Sequence, residues 1–282
     1  MNKVLVLGGT GMLGGPVARR LRADGIEVRL LARDPEKAEA MFDDSFEIIA
    51  GDVTDLQSLE RAMEGCAGVH ISVGGPVDQV SAENVAALAR KLNIERLTYV
   101  SGSTVSEENS WFPMTQQKVM AEKAVRESDV PYTIFCPTWP MEQLPRFVQG
   151  GRATVVGVNL TAWHWFAADD MGHMVSRAYQ SEDAANKRLF VHGPEAVEMP
   201  AAVERYCRAL HPEIETVSTM PIDTARAVAE STDNQMLGFF AELMAYFKAV
   251  GEPGDPTEAN ELLGAPTTTL DAWIEARKDA SD

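Results

Sequence analysis

The sequence predicts a doubly wound α/β protein, a parallel sheet covered by helices on both faces, followed by a smaller C-terminal α+β lobe. Three observations carry this reading. Short continuous apolar runs alternate with helix-forming stretches from the N-terminus to Cys136, as strands buried on both faces require. The first of those runs leads straight into a glycine-rich turn and then a helix. Past Pro137 the alternation gives way to an irregular stretch marked by Pro140 and Pro145.

The opening strand is Lys3–Leu7, and Gly8-Gly9-Thr10-Gly11-Met12-Leu13-Gly14 follows it. Gly8 permits a sharp turn, Gly11 removes a side chain where a pyrophosphate would press, and Gly14 lets the next helix lie close to the strand. That helix, expected from Val17 to Arg22, presents free N–H groups and a positive dipole end. Gly8, Thr10, Gly11, Met12, Leu13 and Gly14 are therefore the candidate cofactor loop. After a stop at Gly25, the strand Glu27–Ala32 ends at Arg33, about 20 residues beyond the glycines, where the residue that selects the dinucleotide sits. A guanidinium there can fork onto a 2′-phosphate. NADP, as NADPH, is the expected cofactor; NAD stays open because Asp34 could partner a ribose hydroxyl.

Strands are next expected at Phe46–Ala50, Val69–Val73, Leu97–Val100 and Tyr132–Cys136. Helices are expected between them at Pro35–Phe42, Leu56–Met63, Val80–Leu92 and Thr115–Ser128. In an open α/β sheet the ligand lies outside the carboxyl ends of the strands, so the residues just after each strand are the ones to read. Asp52 and Val53 can meet an adenine, Ser72, Val73 and Gly74 let the backbone approach the cofactor, and Ser101 and Ser103 supply hydroxyls near a nicotinamide. The domain boundary is placed at 137/138, with residues 1–137 binding the nucleotide. Residues 138–282 form a substrate-side lobe partly interwoven with it. In that lobe shorter elements are expected at Ala153–Val158, Asp169–Tyr179, Leu189–His192 and Ala201–Leu210, then a long helix at Gln235–Val250. The segment Gly251–Pro256 reads as a linker to a last helix at Thr268–Lys278.

Composition narrows the partners. The 282 residues carry 25 basic and 42 acidic side chains, a net charge of −17, which disfavours nucleic acid and anionic membranes, both bound mainly through Lys and Arg. The longest apolar runs fall short of about 18 residues, and the chain opens on a buried-type strand, so a cytoplasmic protein is expected. Cys66, Cys136 and Cys207 show no CxxC spacing, and His70, His164, His173, His192 and His211 show no HxxxH spacing; neither a disulfide framework nor a metal is suggested. The expected partner is a small-molecule substrate, with a second copy of the chain or a regulatory protein left open. Trp111, Phe112, Trp139, Trp163, His164, Trp165 and Phe166 could wall an apolar pocket, and His164 could donate a proton.

Several blocks carry a family resemblance. The opening VLVLGGTGMLGGPVARRL, then LLARDP, GDVTD, YVSGS, the run Lys118–Glu122 and the run Val130–Ile134 resemble atypical short-chain dehydrogenase/reductases of the NmrA-like branch. The likeness continues through Met141-Glu142-Gln143 and Ala167–Gly172 to Thr269–Ile274. It implies a Rossmann domain and NAD(P)-dependent oxidoreductase chemistry. In ordinary short-chain reductases it further implies a Tyr-x-x-x-Lys pair on the helix after the fifth strand, with a serine nearby. Residues four apart share a helix face, so the lysine ammonium can bind the nicotinamide ribose and lower the tyrosine pKa. Lys118 is present, yet Met114 occupies the tyrosine position, and a thioether donates no proton. Lys118 and Ser103 are the candidate catalytic residues, with Lys118 also a cofactor contact. Three readings stay open: Lys118 supplies the proton or steadies an oxyanion, as is proposed for isoflavone-reductase-like relatives; the acceptor is a quinone needing only hydride and a solvent proton; or the protein is a non-catalytic NADP sensor acting through a protein partner. Pairing of Lys118 with Glu122 at i+4 is the structural alternative.

Overall fold

A computed structural model describes residues 3–158 and 160–279. Its elements in chain order are β1 (Lys3–Leu7), α1 (Gly14–Ala23), β2 (Glu27–Ala32), α2 (Pro35–Met41), β3 (Glu47–Ala50), α3 (Leu56–Met63), β4 (Gly68–Ile71), α4 (Asp78–Ala89), β5 (Arg96–Val100), α5 (Pro113–Arg126) and β6 (Tyr132–Pro137). Then come β7 (Trp139–Pro140), β8 (Val148–Gln149), β9 (Arg152–Val156), β10 (Trp163–Phe166), α6 (Ala168–Gln180), β11 (Lys187–Val191), β12 (Ala196–Val197), α7 (Met199–Leu210), β13 (Val217–Met220), α8 (Ile222–Thr232), α9 (Gln235–Val250), α10 (Thr257–Leu263) and α11 (Leu270–Asp279).

The chain divides into two compact units. The first takes the chain up to Pro137, then Ala168–Val191 and Asp255–Pro266. Its seven strands form one parallel sheet in the order β11-β6-β5-β4-β1-β2-β3. This is a doubly wound sheet whose order reverses between β1 and β4, the switch point where such folds open a crevice. Val4, Leu5, Val6 and Leu7 are fully buried, as are Val69, Ile71, Leu97 and Tyr99, which is why these strands read as continuous apolar runs. Local chemistry fixes several helix starts. Asp34 caps α2 by accepting from the Lys37 N–H at 3.1 Å, with Pro35 at the first helical position, and Asp55 caps α3 through the Gln57 N–H. Both follow the preference for short acceptor side chains at an N-cap.

Several elements differ from expectation: α6, read as Asp169–Tyr179 in the C-terminal lobe, falls in the first unit, and α1 begins at Gly14 and not at Val17. The run read as Leu189–His192 in the C-terminal lobe is β11, which pairs with β6 in the parallel sheet, Leu189 opposite Phe135. Nothing local in five residues tells an edge strand of one sheet from a strand of another. The helix expected from Val80 starts at Asp78, whose carboxylate is buried.

The second unit comprises Thr138–Ala167, His192–Gly254 and the chain from Thr267 onward. It holds two small sheets, β12-β10-β7 and β13-β9-β8, with α7, α8, α9 and α11. Trp139, Trp163 and Trp165 are buried there. They cluster with Phe247, whose ring centroid lies 5.0 Å from that of Trp139 and 5.3 Å from that of Trp163. These rings, together with buried Phe166, form the core of the unit, which corrects the expectation of a pocket wall: buried aromatic area is worth more in a close-packed core than against solvent. Trp111, in the first unit, is 61% exposed. Among the described residues no helix is long and apolar enough to cross a membrane.

Candidate nucleotide site

At the carboxyl end of β1 the backbone turns at Gly8, with φ +81°. A Cβ there would sit 2.2 Å from the carbonyl oxygen of Ser72, just past β4, so the two strands at the switch point can approach only if residue 8 is glycine. The Gly8 carbonyl accepts from the Gly11 N–H at 2.9 Å and closes the loop on itself. A Cβ at Gly14 would lie 2.3 Å from that same carbonyl oxygen; the glycine lets α1 begin against the turn. No side chain caps α1, where Leu13 makes no capping hydrogen bond. The Gly15 N–H donates to the Gly11 carbonyl at 3.1 Å and Pro16 carries no N–H, so the donors open at this end are the Leu13 and Gly14 N–H groups, and the dipole end is positive. A tight glycine turn feeding an uncapped helix start fits a phosphate, and Thr10, Gly11, Met12 and Leu13 line it.

Arg33 stands just past the end of β2, exposed, with no hydrogen bond or ion pair among the described residues. Asp52 follows β3. The Thr54 backbone N–H and hydroxyl both donate to its Oδ1, at 2.8 and 2.7 Å; these bonds hold the carboxyl below its ordinary range, and the charge of Arg33 adds to the effect. The structure thus brings Arg33 and Asp52 into one electrostatic neighbourhood and leaves Oδ2 outside the turn. Asp34 is different: its carboxylate is already engaged in capping α2. Val53 packs on the core, and its carbonyl accepts from Asn84 Nδ2 at 2.9 Å. Ser72 donates its backbone N–H to the Leu7 carbonyl at 3.0 Å, which holds Ser72, Val73 and Gly74 beside the glycine loop.

Beyond β5 the side chains are committed to one another. Lys118 Nζ, one and a half turns into α5, donates to Asp78 Oδ2 at 2.6 Å and to the Val100 carbonyl at 3.0 Å, and lies 3.5 Å from the Tyr99 hydroxyl. The Tyr99 hydroxyl in turn donates to Asp78 Oδ1 at 2.7 Å. Burial, with the Asp78 charge beside it, pushes this phenol well above its ordinary range, so it stays protonated. Lys118 therefore pairs with Asp78 and not with Glu122. Glu122, buried, receives the Ser101 hydroxyl and the guanidinium groups of Arg126 and Arg188. The Ser101 hydroxyl proton is spent on that cluster and its backbone N–H on the Phe135 carbonyl at 2.7 Å, leaving the hydroxyl lone pairs for any ligand. Ser103 is held by its backbone N–H on the Pro137 carbonyl at 2.9 Å, and His164 belongs to the second unit, where Glu252 is its partner. Asp78 and Tyr99 are the site residues that motif reading missed. The available signal was an acidic residue opening a helix soon after a strand end, but its partners lie 21 and 40 positions away.

Residues 8–161 match the model of a family described as NAD(P)H-binding. The chain belongs to this family. The cofactor that this family binds is a nicotinamide dinucleotide. The chain is 26% identical over 292 residues to (4-alkanoyl-5-oxo-2,5-dihydrofuran-3-yl)methyl phosphate reductase of Streptomyces griseus subsp. griseus, covering 98% of each protein. It is also 26% identical to the photosystem II assembly factor Ycf39 of Trieres chinensis, over 84% of this chain and 76% of that one. Its fold is shared with the NADPH-dependent quinone oxidoreductase QOR2 of Escherichia coli, solved with NADPH, at a TM-score of 0.78 and 18% identity across 97% of this chain and 99% of that chain.

Proposed function

We propose that the protein is an NAD(P)H-dependent reductase that prefers NADPH and delivers hydride to a small, apolar carbonyl or quinone. The observation that carries this is the glycine turn of Gly8–Gly14 feeding the uncapped start of α1; the reductase from Streptomyces griseus and the NADPH complex of the quinone oxidoreductase support it. In this reading Gly8, Thr10, Gly11, Met12, Leu13 and Gly14 hold the pyrophosphate, Arg33 the 2′-phosphate, Asp52 and Val53 the adenine. Ser72, Val73, Gly74 and Ser101 border the rest of the nucleotide. The bound cofactor supplies the hydride.

Lys118 has three N–H donors; Asp78 and Val100 take two at 2.6 and 3.0 Å, and the third makes only the long 3.5 Å contact to the Tyr99 hydroxyl, which a ligand can displace. The remaining donor can hold a ribose hydroxyl or steady an oxyanion, while the Ser103 hydroxyl orients the acceptor oxygen. Neither Met114 nor the buried Tyr99 offers a proton to substrate. An acceptor whose reduced form takes its proton from water, such as a quinone, suits this arrangement best.

A second reading, nucleotide binding without turnover, is favoured by the same salt bridge, because Asp78 already occupies the ammonium; the Ycf39 relative is an assembly factor. A panel of quinones and carbonyls, assayed by loss of reduced-nicotinamide absorbance, separates the two. Turnover of at least one acceptor is expected, with Lys118→Ala lowering kcat by more than it weakens NADPH binding. Tight NADPH binding with no consumption against the panel would leave only the binding protein.

A further inference from the structure

Away from the nucleotide loop, three residues from distant parts of the chain meet inside the second unit. His164 lies on β10, His192 follows β11 in sequence, and Glu252 follows Gly251 at the end of α9. Glu252 Oε1 lies 3.2 Å from His164 Nδ1 and 3.6 Å from His192 Nδ1. The two imidazoles are stacked, 5.5 Å between centroids and 28° between planes. The ligand atoms of all three residues fall within 4.8 Å of one another.

We propose that His164, His192 and Glu252 form a site for a divalent transition-metal ion of the zinc type. Two imidazoles and one carboxylate are the donor set such ions take, with a position left open. Spacing agrees with that chemistry: bond lengths of about 2.0–2.1 Å at tetrahedral angles put neighbouring donor atoms about 3.3 Å apart, and the contacts to Glu252 Oε1 bracket that figure. Charge points the same way. The Glu252 side chain is only 8% exposed, yet among the described residues no lysine or arginine pairs with it, and its neighbours are the two imidazoles and the His164 backbone N–H at 3.1 and 3.0 Å from its two oxygens. A buried carboxylate without a cation is costly, and an ion would supply the missing charge. The backbone N–H, meanwhile, orients the carboxylate as outer-shell partners of metal ligands do. Access is open, since the His164 side chain is 40% exposed. Bound metal would tie Glu252, just past α9, to β10 and stabilise the unit by linkage. The local spacing of histidines could not disclose this, because the ligands are 28 and 60 residues apart in sequence.

The test is a calorimetric titration of tag-free, chelator-stripped protein with zinc chloride at neutral pH, on the wild type and on His164→Gln and Glu252→Gln, two changes that keep size and polarity. One zinc per chain is expected, with each variant weakening it by about tenfold or more. Should a variant fail to fold, an anomalous difference map at the zinc edge from soaked wild-type crystals decides instead. A peak between the three side chains supports the site. No uptake, uptake unchanged in both variants, or a peak elsewhere, as at His211 and Glu213, overturns it.

Discussion

Arg33 and Lys118 are both basic residues beside a strand end, but their surroundings give them different work. Arg33 is exposed and leaves its whole fork for a ligand, while Lys118 is mostly covered and bound to Asp78. Charge-assisted hydrogen bonds of a guanidinium to a phosphate are worth about 1.5–3 kcal/mol. Arg33→Ala should therefore weaken NADPH binding about tenfold or more while leaving NADH binding nearly unchanged, as read by fluorescence titration. An equal loss for both nucleotides would remove Arg33 from the 2′-phosphate. Residues of this kind were legible in the sequence because a local motif fixes their place: the glycines, Arg33 and Asp52 each follow a strand at a set offset. Asp78 and Glu122 were not, because what matters about them is the partner, and Lys118, Tyr99, Ser101 and Arg188 reach them across the sheet.

Among elements, β4 and β5 carry a polar seam through an otherwise apolar sheet. His70 faces Thr98 in register, and its Nδ1 lies 2.8 Å from Thr98 Oγ1, which lies 2.9 Å from the Tyr179 hydroxyl on α6. Complete burial drives the His70 pKa down from 6.5 to about 3. The native imidazole stays neutral, whereas the unfolded chain takes up a proton below its ordinary pKa. Stability from this residue is thus intact above pH 6.5 and is lost as pH falls from there toward 3. Between pH 7 and pH 5 the wild type should lose about 2 kcal/mol from His70 alone, measured by urea unfolding, and His70→Gln should flatten the slope. The carboxylates held below their ordinary range, Asp24, Glu47 and Asp52, lose their contribution at lower pH, so they do not mask this window. A flat wild-type curve would mean that His70 is not kept neutral in the native fold. Strand periodicity showed β4 and β5 but not this seam, since alternation reports which face is buried and not which polar atoms meet.

Over the whole molecule, the parallel sheet was readable because buried parallel strands leave a continuous apolar trace and because strand-turn-helix order places the glycines. The second unit was harder: its strands are two to five residues long, its helix α8 passed unread, and its aromatic residues look alike in sequence whether they line a pocket or fill a core. The match of residues 8–161 to the NAD(P)H-binding family bears out the reading of a nicotinamide-dinucleotide-binding protein, and the glycine loop as its phosphate cradle is part of the proposal. Preference for NADPH and the chemistry at Lys118 rest on the side-chain geometry beyond it. The direct test is a calorimetric titration of the purified chain with NADPH and, separately, NADH. One NADPH per chain, bound at least about tenfold more tightly than NADH as a guanidinium–phosphate fork implies, is the predicted result; binding of neither nucleotide at millimolar concentration would contradict the account at its centre.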